Sequence, residues 1–232
     1  MNLNPALIFD MDGTMVDSMP SHAQSWLIFA QRHGIALNLD ELMAKTTGRT
    51  GTECMGLLFG RPMSAEEALP LVFEKEVIYR ELFAPQFAEV KGFKAFADTA
   101  HRMGHKIGVG TAGDQHNIAF VMQHLQMAHA PQVIVGGDQG LPGKPDPAIF
   151  LETARAMNAN PAACIVFEDA PFGIEAARRA GMRAVALCTS HTAAQLAGPH
   201  VIAAVPDYTA LPVDFLENLL SPSRSEKDSH VS

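Results

Sequence analysis

The residues best suited to chemistry in this chain are acidic, hydroxyl and ammonium side chains that come at or shortly after short apolar runs. Such apolar runs are typical of buried strands in a parallel sheet. In an open α/β sheet, ligands bind outside the carboxyl ends of the strands, so we expect these side chains to converge on one pocket. They are Asp10, Asp12, Thr111, Lys144, Glu168 and Asp169.

The carboxylates in this set predict a metal site. Asp10, Asp12 and Asp169 would crowd negative charge into one pocket, which is costly unless a hard divalent cation lies among them, and oxygen-only ligands favour Mg²⁺. Thr111 and Lys144 would contact a phosphoryl group opposite the metal, and Lys144 would also offset charge on the attacking carboxylate. The pattern therefore predicts nucleophilic attack by an aspartate on a phosphoryl group, with electrostatic stabilisation of that group.

The elements that must position these residues alternate between strands and helices, which predicts a doubly wound α/β sheet. The predicted strands are Pro5–Phe9, Lys106–Gly110, Gln132–Val135, Ala163–Phe167 and Arg183–Leu187. The predicted helices between them are Lys94–Met103, Ile118–Leu125, Ala148–Met157 and Phe172–Ala180.

One stretch, from about residue 20 to about residue 89, has helical periodicity and no convincing strand. We therefore expect a catalytic core of residues 1–17 and 90–220, a helical insertion of residues 18–89, and a flexible tail of residues 221–232 that is rich in polar residues. The helices predicted in the insertion are His22–His33, Asp40–Ala44, Gly51–Leu58 and Ser64–Leu82.

The composition excludes several classes of partner. The 232 residues carry a formal net charge of −8, which argues against nucleic acid because binding the phosphate backbone requires a basic surface. No apolar run approaches the roughly 20 residues that span a bilayer, and the N-terminus lacks the basic region of a secretory signal. Together with three scattered cysteines, these features predict a cytoplasmic protein, monomeric or weakly dimeric, that has no membrane partner.

The same residues resemble the four motifs of the haloacid dehalogenase (HAD) superfamily, over about residues 5 to 215. The run Asp10-x-Asp12-Gly13-Thr14 is similar to the first motif, Thr111 to the second, Lys144 to the third and Glu168-Asp169 to the fourth. The helical insertion directly after the first motif is similar to that of the beta-phosphoglucomutase and sugar-phosphatase branch. The resemblance implies a Rossmann-like parallel sheet core with an inserted all-helical cap that closes over the site.

The resemblance also implies a role for each motif residue. Asp10 would be the nucleophile that forms an aspartyl-phosphate, and Asp12 would protonate the leaving alcohol and then activate water. Thr111 and Lys144, with the backbone amide of Ala112, would bind the transferring phosphate. These roles imply a small-molecule phosphate ester as the substrate.

The same resemblance implies the ligands of Mg²⁺. The side chains of Asp10 and Asp169 and the backbone carbonyl of Asp12 would bind the ion, and Glu168 would lie near it.

Two cap residues extend the resemblance. His22 stands ten residues after Asp12, similar to a histidine of the phosphoglucomutase branch that helps to position the acid/base. Arg49 directly follows Gly48, whereas beta-phosphoglucomutases carry the loop arginine a few positions after the glycine, so we expect a sugar phosphatase and keep a phosphosugar mutase as the alternative. The candidates for contacting the leaving group are Lys45, Arg49, Thr50 and Lys75.

Two remote alternatives come from other classes. Gly108, Gly110 and Gly113 match a dinucleotide-binding pattern after a strand, which would indicate an NAD-dependent oxidoreductase, but Gly108 is expected within the strand and no acidic residue follows at the required distance. A receiver-type signalling module also uses an aspartate pair, a threonine and a lysine around Mg²⁺. The long helical insertion argues against it.

Overall fold

The strands of the central sheet come from runs of apolar residues. These residues do not alternate with polar ones, as they would in a strand with one polar face. In the first strand, Leu7 and Phe9 lie in one buried apolar cluster, and Ala6 and Ile8 lie in a second one. Because successive side chains of a strand point to opposite faces, both faces of the sheet must be covered by helices. This requirement predicts an α/β layered fold.

The computed structural model describes residues 5–220, and in this part of the chain all six strands form one parallel sheet. The order across the sheet is β3-β2-β1-β4-β5-β6, with the first strand at the centre. The expected Rossmann-like α/β fold is confirmed. The strands are β1 (Ala6–Phe9), β2 (Ile107–Gly110), β3 (Val133–Val135), β4 (Cys164–Glu168), β5 (Arg183–Leu187) and β6 (Val201–Val205).

Four helices follow β1 before the chain returns to the sheet, as expected of an all-helical cap. Asn38, Thr50 and Ser64 accept hydrogen bonds from backbone amides at the starts of the second, third and fourth of them. These helices surround their own apolar cluster, which includes Trp26 and Phe29. The helices are α1 (Met19–Arg32), α2 (Leu39–Thr46), α3 (Gly51–Leu58) and α4 (Ala65–Phe83).

The remaining helices pack against the sheet. They are α5 (Phe93–Arg102), α6 (Gln115–Leu125), α7 (Ala148–Ala156), α8 (Pro171–Arg179) and α9 (Phe215–Leu220). Neither β6 nor α9 was predicted from the sequence. The expected tail of residues 221–232 lies outside the described residues.

The two chain segments that lead into and out of the cap lie side by side. Val16 and Glu89 form an antiparallel bridge, and the amide of Val90 donates to the carbonyl of Met15 at 3.0 Å. These contacts flank the bounds expected for the helical insertion. The cap boundary at residues 18–89 itself stays a prediction.

The glycines that match a dinucleotide-binding pattern have a packing role. Gly108 lies inside β2, and a Cβ there would collide with the side chains of Thr153 on α7 and of Met157 directly after it. A Cβ on Gly110 would press against Thr153 and Phe150 of the same helix. These glycines let α7 approach the sheet closely, which removes the main argument for an oxidoreductase.

Candidate active site

The register of the sheet places the motif residues at one edge. Phe9 pairs with Val109 on one side and with Phe167 on the other, so β1, β2 and β4 end next to one another. Asp10 follows β1, and Glu168 is the last residue of β4. Carboxylates far apart in the sequence are therefore adjacent in space.

Lys144 is the buried cation of this edge. Its Nζ lies 2.5 Å from Asp10 Oδ1 and 2.6 Å from Glu168 Oε1, and its side chain is 1% exposed. Burial alone would lower the pKa of Lys144, but the charges of Asp10 and Glu168 outweigh burial and raise it above its usual value. Lys144 is thus a permanent positive charge that contacts the predicted nucleophile.

The negative charge of the acidic residues at this edge exceeds the positive charge of Lys144. Asp10, Glu168 and Asp169 are buried and offer ligand oxygens within 4.8 Å of one another. Burial raises the pKa of Asp10 to about 8, even though Lys144 acts in the opposite direction. Burial, followed by the charges of Glu168 and Asp10, also raises the pKa of Asp169 well above its usual value. An oxygen-only donor set with this excess of negative charge fits Mg²⁺.

Protein hydrogen bonds distinguish the three acids. Glu168 uses both carboxylate oxygens, one with Lys144 and one with the amide of Ala170 at 2.8 Å. Asp169 accepts a short hydrogen bond from Ser190. Because both oxygens of Glu168 already have protein donors, Asp10 and Asp169 are better placed than Glu168 to bind a cation directly.

Gly13 permits the close approach of the first and fourth motifs. Its φ of 75° is in the left-handed region, and a Cβ there would overlap the carboxylate of Asp169. Any larger residue at this position would displace the acidic cluster.

Thr111 and Ala112 lie in the loop after β2. Thr111 is buried, and its Oγ1 accepts a hydrogen bond from the amide of Gly113 at 3.0 Å. Both residues border the cavity described below, next to the start of α6.

Asp12 has surroundings of a different kind. Its Oδ1 accepts hydrogen bonds from Ser18 Oγ at 2.6 Å, His22 Nε2 at 3.1 Å and Tyr79 OH at 3.2 Å. Burial would raise the pKa of Asp12, but the contacts with His22 and Ser18 and the nearby charge of Lys75 lower it to about 2. Asp12 is therefore a carboxylate at neutral pH in this state of the protein.

Lys75 determines how His22 faces Asp12. The Lys75 Nζ lies 2.8 Å from His22 Nδ1. Because an ammonium group can only donate, Nδ1 must accept and the imidazole proton is assigned to Nε2, which faces Asp12. The His22 ring is also stacked on Tyr79, with ring centroids 3.7 Å apart.

A cavity of about 390 Å³ lies between the sheet edge and the cap. Lys144 lies behind Asp10 and is not part of the cavity lining. The structure thus brings the predicted site residues together. Lys144 contacts Asp10 from behind the cavity surface, so it does not lie where it would contact a phosphate directly. The predicted residues that line the cavity are Asp10, Asp12, His22, Arg49, Thr50, Lys75, Thr111, Ala112, Glu168 and Asp169.

Arg49 borders the cavity, but its guanidinium has partners elsewhere. Its Nε donates to the carbonyl of Lys45 at 2.8 Å, and the group lies over the ring of Phe172, 5.1 Å from its centroid. Of the other leaving-group candidates, Lys45 is exposed, whereas Lys75 and Thr50, which also caps α3, both border the cavity.

Sequence reasoning did not find Ser18, Tyr79 or Ser190 as site residues, and it gave Lys75 a different role. One signal was available: Lys75 and Tyr79 are four apart on one face of α4, opposite His22 of α1. No local pattern marks Ser190, because only the end of β5 brings it near Asp169.

The fold and the site together define an α/β enzyme whose helical insertion covers a cluster of acids at the ends of the strands. The family model for haloacid dehalogenase-like hydrolases matches residues 5–181. The chain therefore belongs to the haloacid dehalogenase-like hydrolase family, which confirms the resemblance and the expected class of enzyme.

The curated relatives include phosphatases. The validoxylamine A 7'-phosphate phosphatase of Streptomyces hygroscopicus subsp. limoneus is 31% identical over 196 residues, which cover 84% of this chain and 91% of that protein. The fructose-1-phosphate phosphatase of Escherichia coli strain K12 is 30% identical over 181 residues, 77% of this chain and 94% of that protein. These activities are as expected for relatives of a phosphoric monoester hydrolase.

Solved structures share the fold. A beta-phosphoglucomutase from Clostridium difficile superposes with a TM-score of 0.79 at 25% identity, and the match covers 93% of this chain and 96% of that one. Within residues 5–220, no helix combines the length and apolar character that crossing a bilayer requires.

Proposed function

We propose that this hydrolase is a Mg²⁺-dependent phosphatase that releases phosphate from a small sugar phosphate through an aspartyl-phosphate on Asp10. The observation that carries the proposal is the contact of Asp10 with Lys144 at the bottom of a cavity that Asp12 also lines. Family membership and the phosphatases among the relatives support it.

Asp10 and Asp12 have different roles in the reaction. An oxygen of Asp10 attacks phosphorus, and the bond from phosphorus to the leaving alcohol breaks while Asp12 gives that alcohol a proton. Water then attacks phosphorus, the bond from phosphorus to the oxygen of Asp10 breaks, and Asp12 takes a proton of this water as phosphate leaves. Entry of an anionic ester raises the pKa of a neighbouring carboxylate, so Asp12 gains the proton that the first step needs when substrate binds.

The other residues bind and neutralise charge. The side chains of Asp10 and Asp169, with the backbone carbonyl of Asp12, would bind Mg²⁺, and Glu168 would lie beside it. The ion would supply a Lewis acid that offsets charge on the phosphoryl oxygens. Thr111 and the amide of Ala112 contact the phosphate, and the charge of Lys144 acts on it through Asp10.

Water is favoured over a second sugar phosphate as the acceptor. Among the described residues that line the cavity, the lysine and arginine side chains are those of Lys75 and Arg49. Lys75 already contacts His22 and Glu76, and Arg49 contacts the carbonyl of Lys45. Lys75 is thus engaged on two sides, and Arg49 is held by the carbonyl of Lys45 and lies 3.8 Å from Glu53, so the cavity offers little uncompensated positive charge for the second phosphate that a mutase must accommodate. The mutase remains the weaker alternative.

The cap, which we place at residues 18–89, would close over the substrate and exclude bulk water. We assign the enzyme to the cytoplasm as a monomer or weak homodimer whose partner is the phosphate ester itself.

The first experiment measures phosphate release from a panel of sugar phosphates, with Mg²⁺ and with EDTA. We expect release only with Mg²⁺, and Asp10→Asn should lower kcat by at least about 10⁴-fold, because removal of a nucleophile has effects of this order. Asp17→Asn is the matched control, since Asp17 is exposed and close in sequence. Activity that survives EDTA or Asp10→Asn would rule the proposal out.

The acid role of Asp12 has a separate test. Asp12→Ala should lower kcat/KM on fructose 1-phosphate by roughly 10²- to 10⁴-fold, the usual contribution of general acid–base catalysis. The loss on p-nitrophenyl phosphate should be smaller, because p-nitrophenolate leaves without a proton. Equal losses on both substrates would contradict the acid role.

A further inference from the structure

Asn117 connects the cap to the core through both ends of its side-chain amide. It lies in the first turn of α6 and is 2% exposed. Its Nδ2 donates to Glu76 Oε2 at 2.7 Å, and its Oδ1 accepts from Arg80 Nη1 at 2.6 Å. Glu76 and Arg80 are four residues apart on α4, so one core side chain contacts one face of a cap helix at two points.

The backbone of Asn117 is equally constrained. Its amide donates to Asp114 Oδ1 at 2.8 Å, which is the N-cap contact of α6. The loop of Thr111 and Ala112 runs directly into this helix start. The position of the phosphate-binding loop and the position of α4 are therefore linked through a single residue.

From α4, a continuous series of polar contacts reaches Asp12. Glu76 Oε1 lies 3.0 Å from the Nζ of Lys75, which lies 2.8 Å from His22 Nδ1. His22 Nε2 then lies 3.1 Å from Asp12 Oδ1. Every member of this series is a side chain with a specified donor or acceptor role, so a shift of Glu76 displaces the donor that faces Asp12.

Glu76 depends on Asn117 for its second partner. The Glu76 and Lys75 side chains are 13% and 3% exposed, so the pair is largely shielded from water. Burial would raise the pKa of Glu76, but Lys75, His22 and the Asn117 hydrogen bond lower it and keep the carboxylate charged. A carboxylate in such a place is costly when one oxygen loses its donor.

We propose that Asn117 is a positioning residue for proton transfer at Asp12: it fixes Glu76 and Arg80 of α4 against the core and thereby places Lys75 and His22. The proposal rests on the phosphatase function proposed above. Asparagine suits the position because it presents a donor to Glu76 and an acceptor to Arg80 from one short side chain.

The test compares two substrates in wild type, Asn117→Asp and Asn117→Ala. The aspartate keeps the acceptor for Arg80 but puts a carboxylate against Glu76, and the alanine removes both contacts. We expect kcat/KM on fructose 1-phosphate to fall about 10- to 100-fold and kcat/KM on p-nitrophenyl phosphate to fall several-fold less, because kcat/KM excludes the later hydrolysis of the phosphoenzyme. Glu76→Gln should change the ratio of the two substrates in the same direction.

Three results would overturn the proposal. An unchanged substrate ratio in the Asn117 variants and in Glu76→Gln, with Asp10→Asn inactive, would remove the positioning role and leave the phosphatase intact. A rise in KM with unchanged kcat would instead show direct substrate binding by Asn117, which borders the cavity. A ratio change in Asn218→Asp, an exposed control on α9, would make the effect nonspecific. If the Asn117 variants do not fold, as judged by circular dichroism, Glu76→Gln decides.

Discussion

The two sides of the active-site cavity shift the pKa of an aspartate in opposite directions. The sheet wall is Asp10, Glu168 and Asp169, with Lys144 buried behind Asp10, and burial there raises the pKa of Asp10 to about 8. The cap wall is His22 and Lys75, which line the cavity, with Ser18 and Tyr79 next to them, and beside it the pKa of Asp12 is lowered to about 2. Asp10 and Asp12 are only two residues apart in the sequence.

The difference follows from the number of partners on each wall. On the sheet wall, three buried carboxylates share one lysine, so negative charge is left over. On the cap wall, one carboxylate oxygen receives three hydrogen bonds. The comparison shows that Asp10 lies where uncompensated negative charge favours a bound cation, whereas Asp12 lies where hydrogen-bond donors stabilise its carboxylate. A cation at the sheet wall would lower the pKa of Asp10 and so favour the charged form that a nucleophile needs.

The largest effect should come from removal of the cation of the sheet wall. Lys144→Met leaves three carboxylates in one buried cluster, so the free energy of unfolding should fall by about 3 to 5 kcal/mol, as when a buried ion pair loses one partner. Urea denaturation without Mg²⁺ measures it. Lys45→Met is the control, because the side chain of Lys45 is 57% exposed. Equal stability of Lys144→Met and wild type would mean that the acidic residues do not need this cation.

A smaller effect should distinguish the two walls, because only the sheet wall should contribute to stabilisation of the protein by Mg²⁺. An ion that binds only the folded protein should stabilise it by about 2.7 kcal/mol at a hundred times its Kd. A thermal melt with and without Mg²⁺ should show this as a higher Tm in wild type and in Asp12→Asn, whose backbone carbonyl is retained. Asp169→Asn should lose most of the increase. If Asp12→Asn loses as much of the Mg²⁺-dependent increase in Tm as Asp169→Asn does, the two walls do not differ in metal binding.

The smallest effect concerns a single donor of the cap wall. Tyr79→Phe keeps the ring that stacks on His22 and removes only the hydroxyl that donates to Asp12. We expect kcat/KM on the best sugar phosphate of the substrate panel to fall about tenfold, which is about 1.4 kcal/mol, the order of one hydrogen bond to a charged group. Steady-state kinetics measures it, and circular dichroism checks that Tyr79→Phe is folded. An unchanged kcat/KM in Tyr79→Phe would mean that the hydrogen bonds from Ser18 and His22 are sufficient to position Asp12.

Most of the sheet could be predicted because its strands are short apolar runs with polar residues directly after them. Five of the six strands were found with bounds within one residue of those observed. The strand β6 was missed, since it lies at the edge of the sheet and its residues alternate between partly buried and exposed. A half-exposed run of valine and alanine has no strong pattern. The short helix α9 has too few residues to show periodicity.

The sequence by itself determined which residues meet at the sheet edge. Asp10, Thr111, Lys144 and Asp169 follow from local patterns, because each comes at or after a strand end and parallel strands end at the same edge. Family membership, the fold and the acidic cluster agree with that prediction.

Only the tertiary structure decided the cap wall. The series from Asn117 through Glu76, Lys75 and His22 to Asp12 joins residues that are up to 105 positions apart, and each contact depends on how α4 packs against α1 and α6. Helical periodicity reveals which residues share a face of one helix. It does not reveal which faces of different helices meet, because that is set by the packing of the whole cap on the core.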